Sequence, residues 1–166
     1  MLQPVVRRTW APVGQTPIHA TWDRRDRISV IGALTVSPRT RKLGVYFTYQ
    51  YENIKTESVV LFVQHLHRQL RRRLILVWDR WSVHRAAARR LLDQHDWLSQ
   101  VEFLPSYSPE LNPVEAMWSY TKHADLANFI PDNVHHLEEE MLDSLARQSH
   151  DKRLKRSFFK TARLDL

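Results

Sequence analysis

The segment RISVIGALTVS (27 to 37) is apolar and β-branched on both of its alternating faces, a pattern that predicts a strand covered on two sides. LGVYFTYQY (43 to 51) repeats it after the basic turn PRTRK, so the two runs are expected to pair as a hairpin. Between 56 and 70 the period lengthens: Val59, Val63, Leu66 and Leu70 fall on one helical face, with Thr56 as the expected N-cap. LILVWD (74 to 79) is a short, fully apolar strand ending in an aspartate, and SVHRAAARRLLDQHD (82 to 96) is an alanine-rich helix that Ser82 is placed to cap. VEFLP (101 to 105) predicts a fourth strand, and a helix starts at Pro113 with Val114, Met117 and Trp118 at helical spacing. PDNVHHLEEEMLDSLA (131 to 146) places Val134, Leu137, Met141 and Leu145 on one stripe. The tail DKRLKRSFFKTARL is either a short docked helix or a frayed end, and residues 1 to 26, with Pro4, Pro12, Gly14 and Pro17, read as an extended loop or hairpin. The order β, β, α, β, α, β, α, α, without internal repeats, describes an α/β fold.

At 166 residues and 43% apolar content the chain is long enough for one core, and a single domain is expected. It has no cysteine, which excludes disulfides, thiolate metal sites and cysteine nucleophiles. The longest apolar runs are far too short to span a bilayer, and no signal-peptide core follows Arg7 and Arg8, so no membrane partner is expected. The net charge of +7 is uneven: residues 1 to 100 hold 17 Lys and Arg against 7 acids, residues 101 to 150 hold 2 against 9, and the tail from 151 holds 6 against 2. A basic surface of this kind suits a polyanion, nucleic acid first.

Two acids stand out. Asp79 closes an apolar strand, where α/β proteins commonly place ligands, or else it bonds nearby backbone and caps the next helix. Glu115 follows with 35 residues between, two after Pro113, behind the rigid loop LPSYSPELNPVE. With Asn112 as N-cap, Glu115 at the third helical position is placed to reach back as in a capping box. The other reading pairs it with Asp79 at one sheet edge. Carboxylates gathered without thiolates suit hard ions such as Mg2+ or Mn2+. Two such ions about 3.5 to 4 Å apart activate an attacking oxygen and stabilise a leaving oxygen in phosphodiester displacement. Around these acids, His84 is either an orienting group for phosphate or water, or a hydrogen-bonded helix residue. Trp81 and Trp118 either lie over the site or wall the core. Lys122, seven residues after Glu115, is a candidate phosphate contact on the same helical face, and Arg7, Arg8, Arg71, Arg72 and Arg73 are candidate DNA-backbone contacts. His65, His67, His135 and His136 read as surface histidines.

LILVWDRWSVH followed by VEFLPSYSPELNPVEAMWSYTK resembles the catalytic domain of mariner-superfamily transposases, especially their bacterial insertion-sequence relatives. LQPVVRRTWAPVGQTP and ISVIGALTVSPRTRKLGVYF resemble the segments that follow the first catalytic aspartate there, so the likeness spans nearly the whole chain. It implies an RNase H-like mixed sheet flanked by helices, with an Asp, Asp, Glu triad holding two Mg2+ or Mn2+ ions. Asp79 matches the second acid and Glu115 the third. The first, on the family's first central strand, falls ahead of Met1, and Asp23 and Asp26 lie well past the matching point. The expectation is therefore a DDE catalytic domain over 1–166, N-terminally incomplete and without the helix-turn-helix region. It would be inactive or impaired alone, bacterial, cytoplasmic and nucleoid-associated. Its expected partners are transposon-end and target DNA, with self-association or association with full-length transposase. A catalytically dead DNA-binding or oligomerising remnant and an RNase H-like repair or RNA-cleaving nuclease are the alternative functions.

Overall fold

The computed structural model describes residues 7–8, 10–15 and 27–165; Asp23, Asp26 and most of the N-terminal loop lie outside that set. The expected hairpin is present. β1 (Ser29–Val36) and β2 (Leu43–Gln50) pair antiparallel, with Gly32 opposite Phe47 and Val36 opposite Leu43. α1 (Thr56–Leu70) follows, then β3 (Leu74–Trp78), α2 (Ser82–Gln94) and β4 (Leu98–Phe103). β3 and β4 run parallel, Trp78 opposite Phe103. A 3-10 turn (Pro109–Leu111) leads to α3 (Pro113–Tyr120), which passes into a π turn (Thr121–Asp125) before α4 (Val134–His150) and α5 (Lys152–Thr161). The tail is thus a docked helix, one of the two outcomes its pattern allowed.

Both faces of the hairpin are covered, as its double-sided apolar pattern requires. Ile31, Ala33 and Tyr46 face the core formed by α1, α2, β3 and β4, around Val59, Val63, Leu66, Ala87 and Leu91. Val30, Leu34, Val45 and Phe47 face a second core around Met117, Met141, Leu145 and Phe158. Gly32 marks where α3 presses on the sheet: a Cβ there would stand 2.6 Å from the Trp118 ring and 2.9 Å from the Met117 methyl. Trp118 is therefore a core wall. β3 departs from its fully apolar pattern. Leu74 is buried, whereas Ile75 and Val77 point the other way and are 63% and 60% exposed. Among the described residues the parallel and antiparallel pairs form two separate two-stranded sheets, and the second edges of β1 and β3 carry no strand.

Three predicted caps or bounds shift. Thr56 and Ser82 are the first residues of their helices; the N-cap positions are Lys55 and Trp81, neither with a side-chain cap bond. The fourth strand begins at Leu98, earlier than its apolar run, because pairing with β3 extends it through the polar Ser99 and Gln100.

Buried polar groups fasten α3 to α4. Gln148, Thr121 and Ser144 are fully buried; the Gln148 Nε2 donates to Thr121 Oγ1 (2.8 Å) and Ser144 Oγ (2.9 Å), and Ser144 donates to Asp125 (2.6 Å). These bonds satisfy the Thr121 and Ser144 hydroxyls and the Gln148 amide nitrogen and hold the π turn against α4, while the buried Gln148 Oε1 has no partner among the described residues.

A second polar clamp ties α4 to β2. Glu138 accepts hydrogen bonds from the hydroxyls of Tyr49 and Tyr51. The Tyr49 bond, then the Tyr51 bond, holds the Glu138 carboxyl below its ordinary range, while the bond to Glu138 pushes the Tyr51 hydroxyl up to about 12. A lowered carboxyl stabilises the fold above its unfolded pKa and loses that contribution as pH falls through the folded value; a raised phenol contributes below its unfolded pKa and loses it as pH rises through about 12. Urea midpoints measured across pH should therefore fall on both the acid and the alkaline side. Glu138→Gln is expected to flatten the acid limb and Tyr51→Phe the alkaline one.

Candidate active site

In a parallel strand pair both carboxyl ends lie at one edge, so whatever follows β3 meets whatever follows β4. Asp79 follows β3 directly. Leu104 follows β4, and its N–H donates to the Trp78 carbonyl at 2.9 Å, carrying the pairing to the lip of the sheet. Arg80 Nε donates to the Leu104 carbonyl (3.2 Å) and ties the two exits together. The proline-rich loop then turns through its 3-10 segment and delivers the first turn of α3 back to this edge. The result is a cavity of about 440 Å³ lined by Asp79, Arg80 and Trp81 from one side, the loop from Leu104 to Pro109 from another, and Asn112 and Glu115 from α3. Two acids with 35 residues between them in sequence thus line one space.

The capping expectation for Glu115 holds only in part. Asn112 is the N-cap, its Oδ1 accepting from the Val114 N–H at 3.1 Å, and Pro113 opens the helix. Its own N–H, however, already donates to the Pro109 carbonyl (3.0 Å), so the reciprocal half of a capping box has no donor to receive Glu115. Among the described residues the exposed Glu115 carboxylate enters no hydrogen bond or ion pair. It remains in the positive field of the helix start, where an anion is favoured.

Asp79 is held differently. Its Oδ1 accepts the Trp81 N–H (2.9 Å) and meets His84 Nδ1 (2.7 Å). An ionised carboxylate only accepts, so the proton of this bond resides on His84 Nδ1. His84 is itself fixed: its ring stacks on Trp78 (centroids 4.8 Å, planes 4° apart) and meets Trp81 edge-on (5.3 Å). With Oδ1 doubly engaged, Oδ2 is the oxygen left for a ligand. Local backbone bonding is thus present through Oδ1, though the N-cap of α2 is Trp81, and the same side chain lines a ligand-sized cavity. Hard oxygen donors are present in number for part of a divalent-ion shell. Among the described residues no three His, Asp or Glu side chains gather closely enough to form a complete one.

The predicted cations do not converge here. Arg71, Arg72 and Arg73 precede β3 while Asp79 follows it, which separates them by the strand's length, roughly 20 Å from Arg73. Arg73 donates to the Asp96 carbonyl (3.1 Å). Arg7 is docked away from the cavity, its N–H on Asn128 Oδ1 (2.6 Å) and its guanidinium on the His123 carbonyl (3.1 Å), and Arg8 beside it is exposed. Lys122 does not line the cavity: seven residues beyond Glu115, it stands about 10 Å further along the helix from the end that borders it. Arg80 and Tyr107 do line it, and neither was singled out from sequence. Arg80 had a signal, as the cation next to a strand-end acid. Tyr107, fully exposed and at φ 58°, had none beyond its place in the loop.

Residues 1–137 match the family described as DDE superfamily endonuclease. The chain belongs to that family. Its fold is similar to the crystal structure of the Mos1 strand transfer complex, with a TM-score of 0.55 and 20% identity over 96% of this chain and 50% of that one. The chain therefore spans about half the length of that protein. No curated protein matches. The RNase H-like, mixed α/β expectation stands, and so does the DDE part of the resemblance. Divalent metal ions are general to the DDE superfamily. Among the described residues no helix is long and apolar enough to cross a membrane.

Proposed function

We propose that this DDE domain is the catalytic domain of a DNA transposase, acting by metal-dependent cleavage and strand transfer at transposon ends. The observation that carries the reading is the shared cavity of Asp79 and Glu115, the one acid oriented and the other without a competing partner among the described residues. Asp79 Oδ2 and the Glu115 carboxylate would hold Mg2+ or Mn2+. When bound, such ions supply Lewis-acid activation of the attacking and leaving oxygens of the phosphodiester. The chain's own part is positional. His84 and the Trp81 N–H fix the Asp79 carboxylate, the Asn112 cap fixes the start of α3 and with it Glu115, and Arg80 offers a guanidinium to a phosphate at the cavity's side.

A second reading, DNA binding or oligomerisation without cutting, is favoured by the missing three-acid cluster among the described residues. Incubating the chain, and a version extended upstream of Met1, with end-containing DNA and Mg2+ or Mn2+ separates the two. Nicking at the ends by either form supports the transposase. DNA retained but left intact by both forms supports the remnant and ends the catalytic reading.

A further inference from the structure

One group of cations that face solvent without an acid partner among the described residues lies on α5, outside the cavity. Arg153, Arg156 and Lys160 lie at i, i+3 and i+7, on one helical face. They border a shallow groove of about 350 Å³ with Ser157, Leu164 and Asp165. The opposite face is spent on the core through Phe158, Phe159 and Ala162, and the one inward cation, Lys155, donates to the Ser149 carbonyl. Of the nearby acids, Asp151 is occupied as the N-cap, its Oδ1 accepting from the Arg153 and Leu154 N–H groups. Asp165 contributes its carbonyl, which accepts from Arg41 Nη2 at 3.3 Å and draws the β1–β2 turn, with Arg39 and Lys42, to the end of α5. None of these outward cations enters an ion pair among the described residues.

We infer that the outer face of α5 and the adjoining hairpin turn form a second contact for the backbone of duplex DNA, distinct from the acidic cavity; the inference rests on the transposase reading for its choice of partner. Like charges one helical turn apart repel, so a face of this kind is relieved by a dense polyanion. Arg153 to Lys160 spans about 10 Å of helix, and duplex DNA presents a phosphate every 1.7 Å or so along its axis, so several phosphates fall within reach. A membrane surface is a poor match, because a helix that binds in the interface needs a free apolar face and here that face is buried.

The test is the binding of a 30-base-pair duplex by the chain, read by fluorescence anisotropy over a NaCl series. Arg153→Gln, Arg156→Gln and Lys160→Gln are combined in one variant. Arg68→Gln, Arg85→Gln and Arg89→Gln, all exposed on α1 and α2, make a control of equal charge change. The α5 variant is expected to bind about tenfold or more weakly at low salt, with a log–log salt slope shallower by roughly 2 to 3, and the control to change far less. Equal losses in the two variants reduce the effect to net charge and overturn the inference, as does an α5 variant that binds like the wild type. Tighter binding of polyglutamate than of DNA also overturns it, by assigning the face to an acidic protein. If the wild-type chain binds no duplex at any salt, the transposase reading fails first and takes this inference with it.

Discussion

Glu115→Gln and Asp79→Asn should each lower the affinity of the chain for Mn2+, and each should reduce strand cleavage by a cutting-competent form of the domain by roughly three orders of magnitude. Metal coordination supplies several kcal/mol of transition-state stabilisation, and each 1.36 kcal/mol is a factor of about ten in rate, so losing a ligand worth about 4 kcal/mol gives that loss. Neither change touches the core. Asp79 is half exposed and Glu115 is exposed, and the amide that replaces the Asp79 carboxylate keeps an oxygen for the Trp81 N–H. Circular dichroism and thermal melts should therefore overlay those of the wild type. The ion's broadened EPR signal on binding reads the affinity. Unchanged Mn2+ binding in both variants would sink the assignment of these carboxylates as ligands.

His84→Ala should weaken Mn2+ binding and cleavage by about 10- to 100-fold, the usual loss when a group that orients a ligand is removed. The reason is geometric: His84 is clamped between the Trp78 face and the Trp81 edge, and its Nδ1 presents a donor to Asp79 Oδ1 at 2.7 Å. Without it only the Trp81 N–H holds Oδ1, and the second oxygen is less closely directed. His84→Asn places an amide donor near the position of Nδ1 and is expected to recover most of the affinity. DNA retention should be the same in all three proteins, because the imidazole acts through Asp79. A fall in melting temperature with no change in metal affinity would instead assign His84 to helix packing alone.

How far the site could be read from sequence follows from which of its parts are local. The loop SPELNPVE carries its own instructions: Asn112 as cap, Pro113 at the first helical position and the apolar spacing behind it, all within a few residues. Asp79 is legible as the residue that ends LILVW. That these acids come to one sheet edge is an inference from topology, and the parallel register of β3 on β4 accounts for their lining one cavity. The release of Glu115 from capping was not legible. It depends on the Asn112 N–H being taken by Pro109, a detail of the 3-10 turn that no residue type dictates. The same holds for cations: Arg71, Arg72 and Arg73 are conspicuous as a run, yet strand direction sends them to the far edge, while the α5 face emerges only when Phe158 and Phe159 choose which side is buried.

By itself the sequence determined the succession of strands and helices, the two acids and the family, because periodicity, turn residues and short motifs act between neighbours along the chain. The tertiary structure alone decided that, among the described residues, Oδ1 of Asp79 is engaged and Oδ2 left and Glu115 has no competing bond, that Ile75 and Val77 are exposed, and which arginines share a surface. Those outcomes depend on contacts between segments far apart in sequence, and helical or strand period fixes only which residues share a face, never what that face will meet.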